Sequence, residues 1–371
     1  MKFESTENHV GKAKKKNSVV KLFGKIFFLL QGGSFLKKSG LFILFLILAG
    51  FSVNAEEAAG EVGDGNGHFF SLGLSFGMLS GANEEIIYYS SSANNYKSQL
   101  IWQLNPLFYA GVDADYSWRS PANPKNIFQS IFSGFFVGAS FKYGLPADTG
   151  FMEDRDWLWA SIPGWLTNYS FHTNRTNTAM LGGLDIGKSF WLYNKFRLNV
   201  FLSYNVMYYS FAANGGTWLY PLDSYGFYDP GSDNVITYRQ FWQILSPGLS
   251  FYGVFNSYFD IEIFAKATPL IAAASLDEHL RTPPPSQIII DPMFFGLYIE
   301  PGFVFTLKPP ASKLMLSLSL NYRNINGTRG NYRRREESPD GSYIIKQYGY
   351  TGGAGYSAFD IGIAAKIRIG K

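Results

Sequence analysis

Apolar and polar residues alternate strictly over several long stretches of this chain. Phe359, Ile361, Ile363, Ala365, Ile367 and Ile369 alternate with Asp360, Gly362, Ala364, Lys366 and Arg368. Leu314, Leu316, Leu318, Leu320 and Tyr322 alternate with Met315, Ser317, Ser319, Asn321 and Arg323. Leu198, Val200, Leu202 and Tyr204 do the same, as do Phe259, Ile261 and Ile263. A period of two sends successive side chains to opposite faces of a β-strand. One face of each strand therefore suits lipid and the other a polar interior. A soluble sandwich alternates as well, with its apolar face inward.

Extending the pattern predicts ten strands, at 68–81, 97–118, 127–144, 178–193, 195–212, 236–253, 258–276, 288–308, 313–326 and 343–369. Short turns at 119–126, 194–195, 256–258 and 308–312 alternate with long loops at 82–96, 145–177, 213–235, 277–287 and 327–342. The expected fold class is all-β, a ten-stranded antiparallel transmembrane β-barrel with long extracellular loops. An even strand count closes the sheet and leaves no unpaired edge in lipid. Both termini then face the periplasm. The inward positions include Asp185, Asp260, Glu262, Arg323 and Lys366, which suit an ion-paired plug better than an open pore.

Composition strengthens this picture. The chain is 18% aromatic, only 16% charged and holds 39 glycines, against about 25% charged residues in ordinary soluble domains. It has no cysteine, which excludes disulfides, thiolate metal sites and a cysteine nucleophile. Lys37 and Lys38 precede the apolar run LFILFLILAGF at 41–51, and VNA follows at 53–55. That is the order of a secretory signal, and the run is shorter than the roughly 20 residues of a spanning helix. Residues 1–55 are read as a leader, 56–67 as a short segment, and 68–371 as the barrel. The leader carries nine lysines and two glutamates, a net +7, so the rest holds about −3 of the whole chain's +4. The basic balance belongs to the leader and gives no reason to expect a nucleic-acid partner.

The polar residues of the outer loops carry the candidate chemistry. Past the leader there are three histidines, His68, His172 and His279. Asp154 and Asp156 are spaced by one residue, as are Asp277 and His279. On an extended segment such pairs point to one side. Two neighbouring carboxylates repel, so one tends to hold a proton or a water. Asp277 is placed to orient the imidazole, and His279 to accept a proton from water. Asp-x-Asp and Asp-x-His are also common in solvated loops, and 113–115 shows the first spacing near a periplasmic strand end. Three histidines and no thiol give no metal site.

These residues are set in runs that resemble the omptin family. LSFGMLSGANEEIIYY at 74–89, SQLIWQL at 98–104, MEDRDW at 152–157, SFH ending at His172, YSFAANGG at 209–216, ITYRQFW at 236–242 and DEH at 277–279 occur in the family's order. The resemblance covers nearly all of 68–369. It implies an outer-membrane endopeptidase that attacks a peptide bond with a water held between an aspartate pair and an Asp-His pair, here Asp154, Asp156, Asp277 and His279. It implies supporting roles for Ser170 and His172, and it places Glu85 where the family receives a basic side chain. It implies peptide or protein substrates, no cofactor, dependence on an outer-membrane lipid, and a monomer.

The departures are specific. Ser275 and Asn168 stand where the family has further acidic residues beside the cut, so a basic preference on both sides is in question. Tyr204 matches the family's lipopolysaccharide-gripping stretch, but Val206, Tyr208, Phe241 and Ile290 replace its charged members. NYRRREESPDG at 331–341 is expected as a charged loop, where a protease cutting beside basic residues would meet its own chain. Two other functions stay open: an omptin-like barrel that binds without cutting, and a small porin.

Overall fold

The computed structural model describes residues 67–90, 95–119, 133–159, 164–193, 196–220, 224–228, 234–280, 286–309, 312–338 and 342–369. The expected leader and residues 56–66 lie outside them. Fifteen strands form one antiparallel sheet. They are β1 (Gly67–Tyr88), β2 (Tyr96–Arg119), β3 (Phe135–Gly144), β4 (Ala147–Asp156), β5 (Asn168–Tyr193), β6 (Phe196–Tyr220), β7 (Ser224–Tyr228), β8 (Asn234–Val254), β9 (Phe259–Thr268), β10 (Ile271–His279), β11 (Ser286–Phe294), β12 (Leu297–Leu307), β13 (Leu314–Asn326), β14 (Arg329–Glu337) and β15 (Tyr343–Ile369).

The short strands join end to end into longer staves. β3 with β4, β9 with β10, β12 with β11, and β13 with β14 each make one stave. The ring of ten then runs β1, β2, β3/β4, β5, β6, β8, β9/β10, β11/β12, β13/β14, β15. β15 pairs back onto β1 from Phe70↔Ile369 to Tyr88↔Thr351, which closes the barrel. β7 is a short hairpin return on the end of β6. No described helix is long and apolar enough to cross a membrane, and the strands do the crossing.

The alternation resolves into a belt and a lumen. Leu74, Phe76, Leu249, Ile263 and Ile363 are among the apolar side chains pointing outward, each more than half exposed. They form the lipid-facing band expected of a barrel wall. Every lumen residue expected from the pattern points inward. Arg323 Nε lies 2.8 Å from Glu300, and its Nη1 lies 3.2 Å from Asp360. Lys142 approaches Asp360 at 2.7 Å, Lys366 approaches Asp115 at 2.8 Å, and Lys266 bridges Asp185 and Glu300 at 3.6 and 3.5 Å. Asp260 pairs with Lys308, and Glu262 accepts from Ser250. The pairs cross-link the staves and plug the channel, leaving a cavity of about 460 Å³ in the half away from the site.

The strands run well past the ends that periodicity predicts. Residues 82–88 continue β1, 147–156 form β4, 168–177 begin β5 and 329–337 form β14. Above the belt the outer face meets water, so it no longer needs apolar residues and the two-residue pattern fades while the hydrogen-bonded ladder continues. At the opposite end β3 spans Phe135–Gly144, and the expected start at 127 lies in 120–132, outside the described residues. The expected arginine loop is strand β14, paired to β11 on one side and β15 on the other. A backbone hydrogen-bonded on both edges is a poor target for self-cleavage.

Removing Arg323 takes away the cation shared by Glu300 and Asp360, leaving Glu300 only Lys266 and Asp360 only Lys142. Arg323→Ala is expected to cost about 3–5 kcal/mol, read as a lowered unfolding midpoint of the refolded barrel in detergent. A midpoint unchanged from the parent protein would show that the lumen pairs carry no stability.

Candidate active site at the barrel mouth

The strand extensions raise the site clear of the membrane belt. Glu85 lies nine residues beyond Phe76 on β1, roughly 30 Å along the strand at about 3.3 Å per residue. Asp154 and Asp156 lie on β4, paired to Leu100 and Ser98 of β2 on one side and to Ser170 and Asn168 of β5 on the other. Asp277 and His279 lie on β10, paired to Tyr238 and Ile236 of β8 and to Ile288 and Ser286 of β11. These are the third and seventh staves of ten, so the two pairs occupy opposite walls of the mouth. The sequence puts both pairs on loops; they are on strands, where the period of two holds each pair on one face.

Asp277 is fully buried, and its Oδ2 lies 2.7 Å from His279 Nε2. Burial favours a neutral imidazole, but the Asp277 charge and hydrogen bond, with Asp154 adding, lift His279 to about 9. Asp154 and Asp156 are half-buried and titrate together. Burial, then the Asp156 charge, raises the Asp154 carboxyl well above the usual carboxylate range, and Asp277 adds to the rise against the pull of His279. Burial also raises Asp156, but the Ser98 hydroxyl, Lys97, His279 and Asn168 hold it back. The pair is therefore unequal: Asp154 is raised further than Asp156 and takes up a proton more readily.

Strand alternation separates Glu84 from Glu85. Glu84 turns outward and accepts from Gln99 Nε2 at 3.0 Å. Glu85 turns inward, is fully buried, and neither of its carboxylate oxygens has a partner. Burial, with Asp277 and Asp154 adding, raises its carboxyl well above the ordinary range. Beside it both amide atoms of the buried Asn83 are also unpartnered. The buried Ser275 sits two residues before Asp277 on β10 and brings no second charge to this floor. Below, Trp102 stacks on Tyr238 at 5.4 Å between ring centres, and Tyr238 on Phe211 at 6.3 Å. This rigid aromatic layer separates the cleft from the ion-paired lumen.

Ser170 and His172 sit behind the aspartate wall. His172 Nδ1 meets the Gly215 carbonyl, and its Nε2 lies 2.9 Å from Ser170 Oγ. Burial lowers the His172 pKa against the Gly215 bond, so the ring is neutral. Nδ1 then donates to the carbonyl and Nε2 accepts from Ser170. Ser170 is the register partner of Asp154, so this chain of hydrogen bonds braces the strand that carries it. The approach depends on Gly216 at φ +111°, where an added Cβ would lie 2.2 Å from Phe171 O and 2.7 Å from His172 Nδ1. The glycine pair in YSFAANGG is its sequence signal.

Two cations at this mouth were not legible as site residues. Arg334 on β14 is close enough to oppose the charging of His279. Lys97 on β2 is close enough to favour ionised Asp156. On the outer wall, Tyr204 donates to Gln243 at 2.9 Å. Ile290, expected on that wall, is instead fully buried and packs at the Gly352 position inside the barrel. It has no bearing on headgroup charge.

The Omptin family model matches residues 67–368. Protease 7 of Escherichia coli O157:H7 is 26% identical over 282 residues, covering 72% of this chain and 82% of that protein. Outer membrane protease IcsP of Shigella flexneri is 26% identical over 290 residues, covering 74% and 84%. The crystal structure of the outer membrane protease OmpT from Escherichia coli superposes with a TM-score of 0.68 at 18% identity, covering 84% of this chain and 99% of that one.

The raised carboxyls have a cost in stability with a definite sign. A carboxyl whose folded pKa lies above its unfolded value contributes stability below the unfolded pKa, and that is lost as pH rises through the folded one. Glu85→Gln and Asp154→Asn are each expected to raise the unfolding midpoint at pH 8 by roughly 2–4 °C, with the gain shrinking toward pH 4. A gain of equal size at both pH values would show that neither carboxyl is strained by ionisation.

Proposed function

The chain belongs to the omptin family of outer-membrane proteases, and on that premise we propose that it hydrolyses peptide bonds beside a basic residue, with a water activated between Asp154/Asp156 and Asp277/His279. The barrel sits in the outer membrane with the site facing the exterior. One observation carries the reading: a buried Asp-His pair faces an unequal aspartate pair across the mouth, above a buried glutamate with no counter-ion.

Each group has a physical role in the proposed reaction. Asp156, the charged member of its pair, accepts a hydrogen bond from the water. Protonated Asp154 orients that water and limits the negative charge of the wall. Asp277 holds the imidazole, and neutral His279 takes the water's proton as oxygen attacks the carbonyl carbon. The proton then passes to the departing nitrogen, giving a carboxylic acid and an amine, and the acid's proton moves on to the amine; no bond forms to the enzyme. Ser170 and His172 keep Asp154 in place. Glu85 receives the substrate's cationic side chain: a buried carboxylate without a partner gains most from a cation that enters with its own donors. The same barrel pairs its other buried carboxylates, Glu300 and Asp360, with arginine and lysine, so the vacancy at Glu85 is local to the cleft.

The proposed substrates are exposed peptides or protein segments. The chain is proposed to act as a monomer without a cofactor, helped by an outer-membrane lipid. Tyr204, Val206, Tyr208 and Phe241 give that lipid an aromatic and apolar surface in place of charges. A barrel that binds without cutting predicts the same cleft but no turnover, so activity decides between them.

His279→Ala and Asp156→Asn are expected to lower kcat by about 10²–10⁴-fold on quenched peptides containing arginine, with the barrel still folded. For the parent protein kcat/KM is expected to climb with pH toward about 9, because the base must lose its proton first. Asp277→Asn should move that rise to lower pH while reducing the maximum. A profile flat from pH 6 to 8 and falling above would assign the base to Asp156. Binding of an arginine peptide ionises Glu85 and is expected to release a proton, so its KM falls as pH rises; KM for an alanine peptide should not follow.

A further inference from the structure

The floor of the cleft is acidic, but its rim on the aspartate side also carries a cation. Along β1 and β2 the register passes from Ile87↔Ser98 to Tyr88↔Tyr96, so Lys97 is an extra residue in the ladder. Such bulges re-aim a side chain. Strict alternation would send Lys97 outward with Gln99. Instead its ammonium lies 4.7 Å from the centre of the Tyr350 ring, over the mouth. Tyr350 is itself held by Tyr348, Tyr332 and Tyr89, with ring centres 5.7, 5.8 and 6.4 Å away. The Lys97 carbonyl accepts from Trp157 N at 2.9 Å, fixing the bulge beside the aspartate strand.

Lys97 thus stands next to Asp156 on one flank. On the other flank Asn168 Nδ2 reaches Asp156 at 3.5 Å and contributes no charge. Among the described residues Lys97 forms no ion pair with a carboxylate. Arg334 lies near enough to repel it, but Arg334 is engaged by Glu336 at 3.0 Å. Lys97 is therefore a rim cation with no carboxylate at ion-pair distance among the described residues, half-buried, held over an aromatic face and near Asp156.

We propose that Lys97 and Asn168 form a subsite for an acidic side chain next to the basic residue held by Glu85, so that the enzyme selects a basic–acidic pair over a dibasic one. The inference rests on the proteolytic reading for its biological use, but not for its test. An extended peptide with its basic side chain on Glu85 presents its neighbour to the opposite part of the cleft. A second basic side chain there meets the Lys97 charge. A carboxylate meets a desolvated ammonium and the Asn168 amide instead. One charge contact of this kind near a protein surface is worth on the order of tenfold in affinity, and less at high salt.

The test uses the refolded full barrel and two series of labelled peptides carrying Arg-Glu, Arg-Ala or Arg-Arg. One series has a ketomethylene in place of the central amide, so it binds without being cut; the other is hydrolysable. The parent protein is expected to bind the Arg-Glu isostere about tenfold more tightly than Arg-Arg, with the ratio shrinking in high salt. Lys97→Ala should bring the ratio near one, Lys97→Glu should reverse it, and Lys97→Arg should keep it. An Arg-Arg isostere bound as tightly as Arg-Glu by the parent, or a ratio unmoved in folded Lys97→Glu, would overturn the subsite. Failure to cut the hydrolysable series while the isostere ratio holds would sink the protease reading and leave the subsite standing.

Discussion

Ring closure through the β1–β15 ladder is the constraint on which everything else in this molecule depends. In lipid an unpaired strand edge would expose backbone donors and acceptors with no water to satisfy them. The ladder that prevents this continues unbroken from Phe70↔Ile369 in the belt to Tyr88↔Thr351 at the mouth. The same hydrogen bonds that close the barrel therefore position Glu85 three residues below that upper end. The third and seventh staves stand four apart in a ring of ten, one short of diametric, so strand count sets the gap between the aspartate pair and the Asp-His pair.

Within this frame buried carboxylates are treated in two ways. In the lumen Glu300 and Asp360 are each matched by a cation at hydrogen-bonding distance. At the mouth Glu85, Asp154 and Asp277 crowd one another with a single imidazole among them. The first arrangement holds staves together. The second stores repulsion that a proton relieves, and on the proposed function an arriving cationic side chain would relieve it too. The aromatic layer of Trp102, Tyr238 and Phe211 lies between the two regions, and its packing keeps the lumen cations from reaching up to neutralise the site.

The belt and the lumen were legible because lipid and water make opposite demands on the two faces of each strand. The alternation around Ile363 and Leu316 has no other economical explanation once the leader and aromatic load are considered. The same logic explains why the upper strands look like loops in the sequence. At 147–156 and 329–337 both faces are polar, and hydrogen-bonded backbone leaves no mark in the hydropathy pattern. The two pairs were visible as spacings and were given a meaning by their neighbours in MEDRDW and DEH. Lys97 was invisible because its direction follows from a one-residue slip against β1, which no local pattern records. Ile290 was misplaced for a related reason: a register irregularity between Ile290 and Met293 in β11 changes which side chains face the interior.

Because the catalytic candidates stand on strands bonded at both edges, the cleft has a fixed gape. Among the described residues no segment stands over it as a jaw or a lid. Whatever enters must already be extended, so the conformational work falls on the target. For a folded target, the rate of cutting would then follow how often a segment around the bond comes loose. If the proposed cleavage holds, a rigid mouth of this kind would read flexibility in its targets as much as sequence, and would spare any neighbour whose surface stays shut.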